Sequence, residues 1–291
     1  MSARRVDTVF VPRMSARRVD TVSLLAAPAT AYLVVAFAVP LLLLLATSVV
    51  TPAGLSLAGY GRFFSDPFGW KVLANTLRAA VLTTAICLLI GYPVAVALAR
   101  AGGAVQIVLL VSLILPLSVG VVVKAFAWTI LLRSNGVVNQ LLMMSRLVDE
   151  PVRLLFTETG LVLGAVNIFL AFMVLPIYSV IRLLDPRLLD AAATLGSGPL
   201  HRFLHVTLPL TMPGVVAGVA FVFSMSVSMY VIPTLLIGDR YQTLSTLIAR
   251  SYLFMRDRSL GSTVAVVLLA IAVAVVVLSG LLARNPRASA A

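Results

Sequence analysis

Side chains that could bind a metal or catalyse a reaction are few in this 291-residue chain, and they are poorly placed for either task. His201 and His205 have the spacing that lets two imidazoles on one helix face bind zinc. However, Arg202 stands where a zinc protease helix carries its glutamate base, and no third ligand is evident. The sequence also has no Gly-x-Ser-x-Gly elbow and no Gly-x4-Gly-Lys-Ser/Thr phosphate loop. We therefore expect no enzyme that acts alone, and no metal or cofactor in this chain.

The composition requires that most of the chain contacts something other than water. Hydrophobic residues make up 61% of the chain and charged residues 11%, whereas about a quarter of a soluble chain is charged. The net charge of +12 comes mostly from arginines between apolar runs, without the aromatic-interleaved basic stripe of a nucleic-acid-binding protein. The composition thus predicts an integral membrane protein that contacts lipid and no nucleic acid.

Six apolar runs are long enough to cross a bilayer as helices, which takes about 20 residues each. They predict an all-α integral membrane protein with a six-helix transmembrane domain over residues 24–283, an N-terminal tail at 1–23 and a C-terminal tail at 284–291. An even number of crossings puts both tails on one side, and arginines in the N-terminal tail favour the cytosolic side. The runs are 24–50, 72–98, 105–132, 159–183, 213–237 and 262–282.

The N-terminal tail contains a direct repeat, because residues 1–9 recur without change at residues 14–22. The repeat is too short to be a structural module. We interpret it as a duplicated or mis-set start, with Met14 as the natural initiator; the alternative is a functional cytosolic tail.

Polar side chains inside the apolar runs are candidates for a path through the membrane. Lys124 is the only ionisable residue deep in a run, so it either lines such a path or extends its ammonium group to the lipid headgroups. Hydroxyl and amide groups could also line a path, although they more often bond to their own helix or to a neighbouring one. The path candidates are Lys124, Trp128, Asn167, Ser224, Ser228 and Tyr230.

The loop between the fourth and fifth runs, residues 184–212, carries the clearest local structural signals. Asp185 is suited to cap a helix, Pro186 to occupy its first position, and Gly196 to end it in a left-handed conformation. A second helix can start at Pro199, so the loop predicts a helix-turn-helix that protrudes between two spans.

Seven residues of this loop resemble the EAA motif of ABC importer permeases, which usually reads Glu-Ala-Ala-x3-Gly-x9-Ile-x-Leu-Pro. The spacing agrees throughout, with Asp in place of Glu and Val in place of Ile. The matching residues are Asp190, Ala191, Ala192, Gly196, Val206, Leu208 and Pro209. Weaker likenesses to the spermidine/putrescine-type branch extend from about residue 60 to about residue 279, and that branch also resembles permeases for opines and other small amino compounds.

This resemblance implies a MetI-like fold and a permease subunit of a type I, binding-protein-dependent ABC importer in the bacterial inner membrane. The loop would be a cytosolic coupling helix that docks on a dimer of ATP-binding subunits, which would carry ATP and Mg²⁺. Both termini would then be cytosolic. The other implied partners are a second homologous permease that forms a heterodimer with this chain, an extracytoplasmic substrate-binding protein, and membrane lipid. The implied cargo is a small amino compound such as spermidine or putrescine.

The absence of Asp and Glu from all six runs leaves the cargo open. A polyamine in a membrane normally contacts carboxylates or aromatic faces. One possibility is therefore that aromatic residues such as Trp128 and Tyr230, together with a second permease, bind the polyamine. The other is that the cargo is an opine, an amino acid derivative or another non-polycation. An alternative function of a different class is that of an ion-coupled secondary transporter. Such a protein would need intramembrane carboxylates and usually shows internal repeats, and the sequence shows neither. A membrane scaffold has no support beyond hydropathy.

Overall fold

The computed structural model describes residues 17–51 and 54–283, and these residues are almost wholly helical. The chain divides into two compact units, Met1–Ala46 and Thr47–Ala291. In the first unit the described residues belong to one helix, α1 (Arg17–Val49), so residue 24 does not mark the start of the helix. Met14, the first copy of the repeat and the tail at 284–291 lie outside the described residues.

The second unit contains a short hairpin followed by twelve helices within the described residues. Val50 pairs with Leu55 in the antiparallel hairpin. In chain order the elements are β1 (Val50–Thr51), β2 (Gly54–Leu55), α2 (Ala58–Ser65), α3 (Pro67–Arg100), α4 (Gly103–Ile114), α5 (Val121–Leu131), α6 (Val137–Met144), α7 (Glu158–Leu183), α8 (Pro186–Thr194), α9 (Pro199–Arg202), α10 (Leu208–Ser228), α11 (Val231–Leu236), α12 (Leu244–Leu253) and α13 (Arg258–Ala283).

Five helices in the described part of the chain are long and apolar enough to cross a bilayer unbroken. A bent pair of helices adds a sixth crossing if its two halves form one span. The prediction of an all-α membrane protein with six crossings is therefore confirmed, with one crossing of unexpected shape. The five unbroken spans are Pro28–Val49, Pro67–Arg100, Glu158–Leu183, Pro199–Ser228 and Arg258–Leu281, and the bent pair is Gly103–Ser118 with Val121–Leu131.

The third run crosses as two helices, and the chain bends sharply close to Pro116, one of the prolines inside the runs that can bend a helix. The axis turns by 103° between Gly103–Ser118 and Val121–Leu131. Pro116 lies in a 3-10 turn that follows α4, and Val119 is extended, with φ −85° and ψ 126°. A proline has no N–H to donate to a helix, and the extended residue interrupts the helical hydrogen bonds before α5 begins.

The fifth run differs from the prediction at both ends. α9 continues through a π-helical turn at Phe203–Thr207 into α10, so one helix covers Pro199–Ser228. The second helix of the predicted helix-turn-helix is therefore the start of the fifth span, and the loop predicted at 184–212 is shorter than expected. At the other end Met229 is extended, and residues 231–236 form the separate helix α11 because the backbone bonds are interrupted there.

The core of the second unit lies where α7 packs between α3 and α10. Glycines on the flanking helices let the backbones approach closely, as is typical of helix contacts in lipid. A Cβ atom on Gly91 would lie 2.9 Å from Met173 Cγ, and one on Gly218 would lie 2.8 Å from Met173 Sδ. The single cysteine, Cys87, is fully buried in this core, and its Sγ lies 3.7 Å from the carbonyl oxygen of Val166.

Replacing Gly214 with alanine should lower the thermal denaturation midpoint of the purified protein. The new Cβ would lie 2.8 Å from the Pro176 oxygen and 3.0 Å from Ile177 Cα, and these backbone atoms of α7 cannot rotate away. Overpacking of this kind typically costs about 1–3 kcal/mol. Gly280→Ala is the matched control, because a Cβ there meets nothing within 4 Å and should leave the midpoint unchanged or slightly raised. An equal loss in both variants would contradict this account of the α7–α10 contact.

Candidate functional site

The loop that resembles the EAA motif begins and ends its first helix as the sequence predicts. The Asp185 carboxylate accepts a hydrogen bond from the Arg187 backbone N–H at 2.9 Å, and Pro186 occupies the first turn of α8. Gly196 has a φ of +81°, so the left-handed stop is confirmed as well. Nothing lies within 4 Å of a Cβ built on Gly196, so the backbone conformation alone favours glycine there.

Most of α8 and its surroundings are exposed. Asp190 and Ala191 are exposed, whereas Ala192 is half-buried. Two large apolar side chains beside the helix, Leu183 and Leu195, are each 86% exposed. Leu183 ends the fourth span and Leu195 follows α8, so exposed apolar surface at this end of the bundle is available for contact with another protein.

The motif residues divide between two elements. The first four lie in α8 and at its end, whereas Val206 lies in the π turn, and Leu208 and Pro209 lie in the first turn of α10. Val206 is half-buried, and Leu208 packs against the core. α8 itself packs against the π turn, so the exposed half of the motif rests on the half that continues into the fifth span.

The π turn is joined to α3 by Tyr92. The Tyr92 hydroxyl lies 2.9 Å from Thr211 Oγ1, and the Tyr92 ring meets Phe203 edge to face, with centroids 5.6 Å apart. Because both contacts are buried or half-buried, a displacement of the loop would be transmitted to the core helices. Sequence reasoning counted Tyr92 only as part of a family likeness, since nothing local connects it with the loop.

The histidines of the loop stack on each other and do not form a metal site. The His201 and His205 rings lie 4.0 Å apart at an interplanar angle of 20°, and His205 Nδ1 is 3.2 Å from the His201 carbonyl oxygen. Across residues 17–51 and 54–283 no group of three or more His, Cys, Asp and Glu side chains could hold a metal ion.

The structure brings two of the path candidates together. Trp128 Nε1 donates to Asn167 Oδ1 at 3.1 Å, which links the bent pair to α7. Lys124 lies one helical turn before Trp128 in α5, is half-buried, and forms no ion pair within the described part of the chain.

The other candidates lie in or just after α10. The Ser228 hydroxyl donates to the carbonyl oxygen of Ser224 at 2.9 Å, which is a bond within its own helix. The hydroxyl groups of Ser224 and Ser226 are buried and have no hydrogen-bond partner among the residues that the structure describes. Tyr230 follows the end of α10 and lines a cavity of about 360 Å³. The six candidates therefore do not converge on one site.

The cavity lies beyond the end of α10 that is far from the loop, and residues of α11, of α12 and of the segment between them line it. Its lining includes two charged residues, Asp239 and Arg250, and the polar residue Gln242. Sequence reasoning missed all three, because it searched for polar groups inside the apolar runs and these lie between the fifth and sixth runs. The only signal in the sequence was that charged residues follow shortly after the end of the fifth run.

A polar network at the same end of the bundle was also missed. Arg78 Nε lies 2.9 Å from Glu158 Oε1, the one ion pair within the described ranges. The Tyr241 hydroxyl lies 3.3 Å from that carboxylate and 3.0 Å from the Asn75 carbonyl oxygen. Burial, and then the neighbouring Glu158 charge, raise the pKa of Tyr241 above its usual value. Arg78 lies in the second run, so Lys124 is not the only charge in the runs.

Replacing Glu158 with glutamine should lower the thermal denaturation midpoint, because Arg78 loses its anionic partner while the side-chain shape is kept. The Arg78 side chain is 70% exposed, so the loss should be about 1 kcal/mol or less. Glu150→Gln is the matched control, since Glu150 is exposed and belongs to no ion pair within the described residues. If both variants have the same thermal denaturation midpoint as the unmodified protein, the network has no stabilising role.

The sequence matches a family model described as binding-protein-dependent transport system inner membrane component over residues 88–288. It is 33% identical over 244 residues to the spermidine/putrescine transport system permease protein PotB of Escherichia coli (strain K12), with 81% of this chain and 88% of that protein covered. It is 34% identical to the PotB protein of Haemophilus influenzae, with 78% and 82% covered. It is 28% identical to the molybdenum transport system permease protein ModB of Mycobacterium bovis, with 78% and 84% covered.

The fold is similar to that of two solved transporters. A bacterial ABC transporter involved in the import of the acidic polysaccharide alginate matches with a TM-score of 0.76 at 16% identity, over 92% of this chain and 96% of that one. The MetNI methionine ABC transporter, in an inward-facing conformation, matches with a TM-score of 0.53 at 17% identity, over 75% and 97%.

Proposed function

Because this chain belongs to the family of binding-protein-dependent transport system inner membrane components, we propose that it forms half of the translocation path of an ABC importer for a small amino compound. As a permease of this family it is a multi-pass protein of the inner membrane. In the proposed mechanism, closure of two ATPase subunits moves α8, and the paired permeases switch between outward-open and inward-open states.

The observation that carries this proposal is the exposed helix α8, which packs against the π turn at the start of the fifth span. Its cap at Asp185 and its stop at Gly196 fix both ends, and its small alanine side chains permit close approach of another protein. The contacts of Tyr92 with Thr211 and Phe203 supply a mechanical connection from α8 to the bundle. A dimer of ATP-binding subunits is the proposed occupant of this surface, which places the loop and both termini in the cytosol.

The remaining partners follow from the same assignment. This chain would be non-catalytic, with ATP and Mg²⁺ held by the ATPase subunits. A similar fold occurs in a bacterial alginate ABC transporter in complex with a periplasmic protein, which supports an extracytoplasmic binding protein as a partner here. Pairing with a second, non-identical permease rests on the resemblance to the spermidine/putrescine-type branch.

Spermidine and putrescine are the first cargo to test, because relatives at 33% and 34% identity are described as their permeases. The fold itself does not fix the charge of the cargo, since a similar fold occurs in a transporter for the acidic polysaccharide alginate. A permease for an opine or another amino compound that is not a polycation stays as the alternative. An ion-coupled secondary transporter is not favoured, given the family to which the chain belongs.

Gly196→Asp should leave the protein inserted and folded but abolish uptake and substrate-stimulated ATP hydrolysis by the assembled importer. At a φ of +81° a residue with a Cβ is strained by about 1–2 kcal/mol, so the end of α8 would shift on the ATPase surface. Gly198→Asp is a matched control, because Gly198 has a φ of −66° and a Cβ there meets nothing within 4 Å. Normal stimulated hydrolysis in Gly196→Asp would rule out the coupling role.

Uptake into proteoliposomes should require the ATPase subunits. We expect labelled putrescine or spermidine to enter vesicles that contain the complete importer, its binding protein and ATP, and not vesicles that contain only the permease subunits. The same permease vesicles with an imposed ion gradient serve as the control. Substrate uptake driven by that gradient alone would refute the importer.

A further inference from the structure

The cavity at the far end of α10 holds two charges of opposite sign that are not paired. Asp239 and Arg250 both line it and both are exposed. The two do not form an ion pair with each other, since Arg78 and Glu158 are the one pair closer than 4.0 Å among the side chains that the structure describes. An acid and a base that share a cavity without contacting each other leave room for a ligand that meets both.

The cavity also contains a buried acceptor that lacks a donor. Gln242 Oε1 is buried and has no hydrogen-bond partner in the described part of the chain. A buried carbonyl oxygen without a donor costs about 1–3 kcal/mol, so a ligand that brings an N–H group would recover that free energy. The Asp239 carboxylate, when ionised, also only accepts hydrogen bonds. The Gln242 carbonyl oxygen and this carboxylate therefore make one side of the cavity suited to an ammonium group.

Aromatic side chains reinforce that preference. Tyr230 and Phe254 line the cavity, and both are exposed, at 42% and 79%. Ring faces attract ammonium groups through their quadrupole.

Arg250 imposes the opposite requirement on the other part of the ligand. Its guanidinium group offers a fork of N–H donors that matches a carboxylate in a bidentate arrangement. A diamine bound at Asp239 would bring its second ammonium group into a cavity that already contains this positive charge. A ligand with one ammonium and one carboxylate group satisfies both residues.

The six apolar runs agree with this preference. They contain no Asp or Glu, whereas a polycation in a medium of low dielectric constant is stabilised by carboxylates or aromatic faces. A zwitterion has no net charge, so it needs fewer such partners along the path.

We propose that this cavity is a binding site for a small zwitterionic amino compound, with the ammonium group at Asp239 and Gln242 and the carboxylate at Arg250. The inference rests on the proposed function as an importer permease, and it adds small amino compounds that carry a carboxylate to the polyamines as ligands of the permease.

The test uses the complete complex of permease and ATPase subunits in lipid nanodiscs, without the binding protein, and measures equilibrium binding of two labelled probes. The probes are 4-aminobutyrate and putrescine, which share a four-carbon chain with one ammonium group and differ in whether the other end carries a carboxylate or a second ammonium. We expect 4-aminobutyrate to bind more tightly. Arg250→Gln should weaken its binding by about tenfold or more and leave putrescine binding unchanged or stronger, because a charge-assisted bond is lost.

Two further variants separate recognition from general damage. Asp239→Asn should weaken binding of both probes, since both present an ammonium group. Arg153→Gln removes an exposed positive charge that does not line the cavity and should change neither affinity.

Three results would overturn the zwitterion site: tighter binding of putrescine by the unmodified complex, no measurable binding of either probe, or an unchanged affinity ratio in Arg250→Gln. The proposed function fails separately. If uptake of some cargo depends on the ATPase subunits and is lost in Gly196→Asp, the importer assignment stands even when the cavity assignment does not.

Discussion

The close contact of α7 with α3 and α10 is the interaction on which the other features of this protein depend. In lipid, helices gain little from burying apolar surface, so they associate through tight van der Waals packing. Here that packing is achieved by glycines, at Gly91 and Gly218 against Met173 and at Gly214 against the α7 backbone. A Cβ at Gly214 would press on the α7 backbone, and one at Gly91 or Gly218 would require the Met173 side chain to move, so each would loosen this contact. The positions of α10 and of everything attached to its two ends follow from this contact.

α10 connects the two functional ends of the bundle. At one end the helix continues back through the π turn to α9, against which α8 rests, and at the other end it stops beside Tyr230 and the cavity. One continuous helix over Pro199–Ser228 therefore spans the distance between the proposed coupling loop and the cavity. α10 packs against α7, with close approaches at Gly214 and Gly218, so α7 contacts the helix that connects these two ends. This arrangement suits a protein that converts the movement of a partner into a change at a distant binding site.

Local signals predicted the fold and the loop well, whereas long-range contacts were out of reach. Asp185 and Gly196 act through their own backbone neighbours, so their roles could be predicted from residue type alone. Pro116 indicates where the third run can bend, but the 103° angle could not be predicted, because hydropathy carries no information about the direction of a run. The pair of Arg78 and Glu158 joins residues far apart in the sequence, and only the packing of α3 on α7 brings them together. The cavity residues lay outside the runs in which polar groups were sought.

The buried position of Cys87 has a practical consequence for spectroscopy. Thiol reagents react with an accessible thiolate, and a sulfhydryl enclosed in a helix core is inert. Since the chain has no other cysteine, the natural protein provides a background without labelling for maleimide fluorophores or spin labels. A cysteine introduced at exposed Ala193 in α8, and another at half-buried Thr246 beside the cavity, would carry the only two probes in the subunit. Distances between such probes would report directly whether the two ends of α10 move together during a transport cycle.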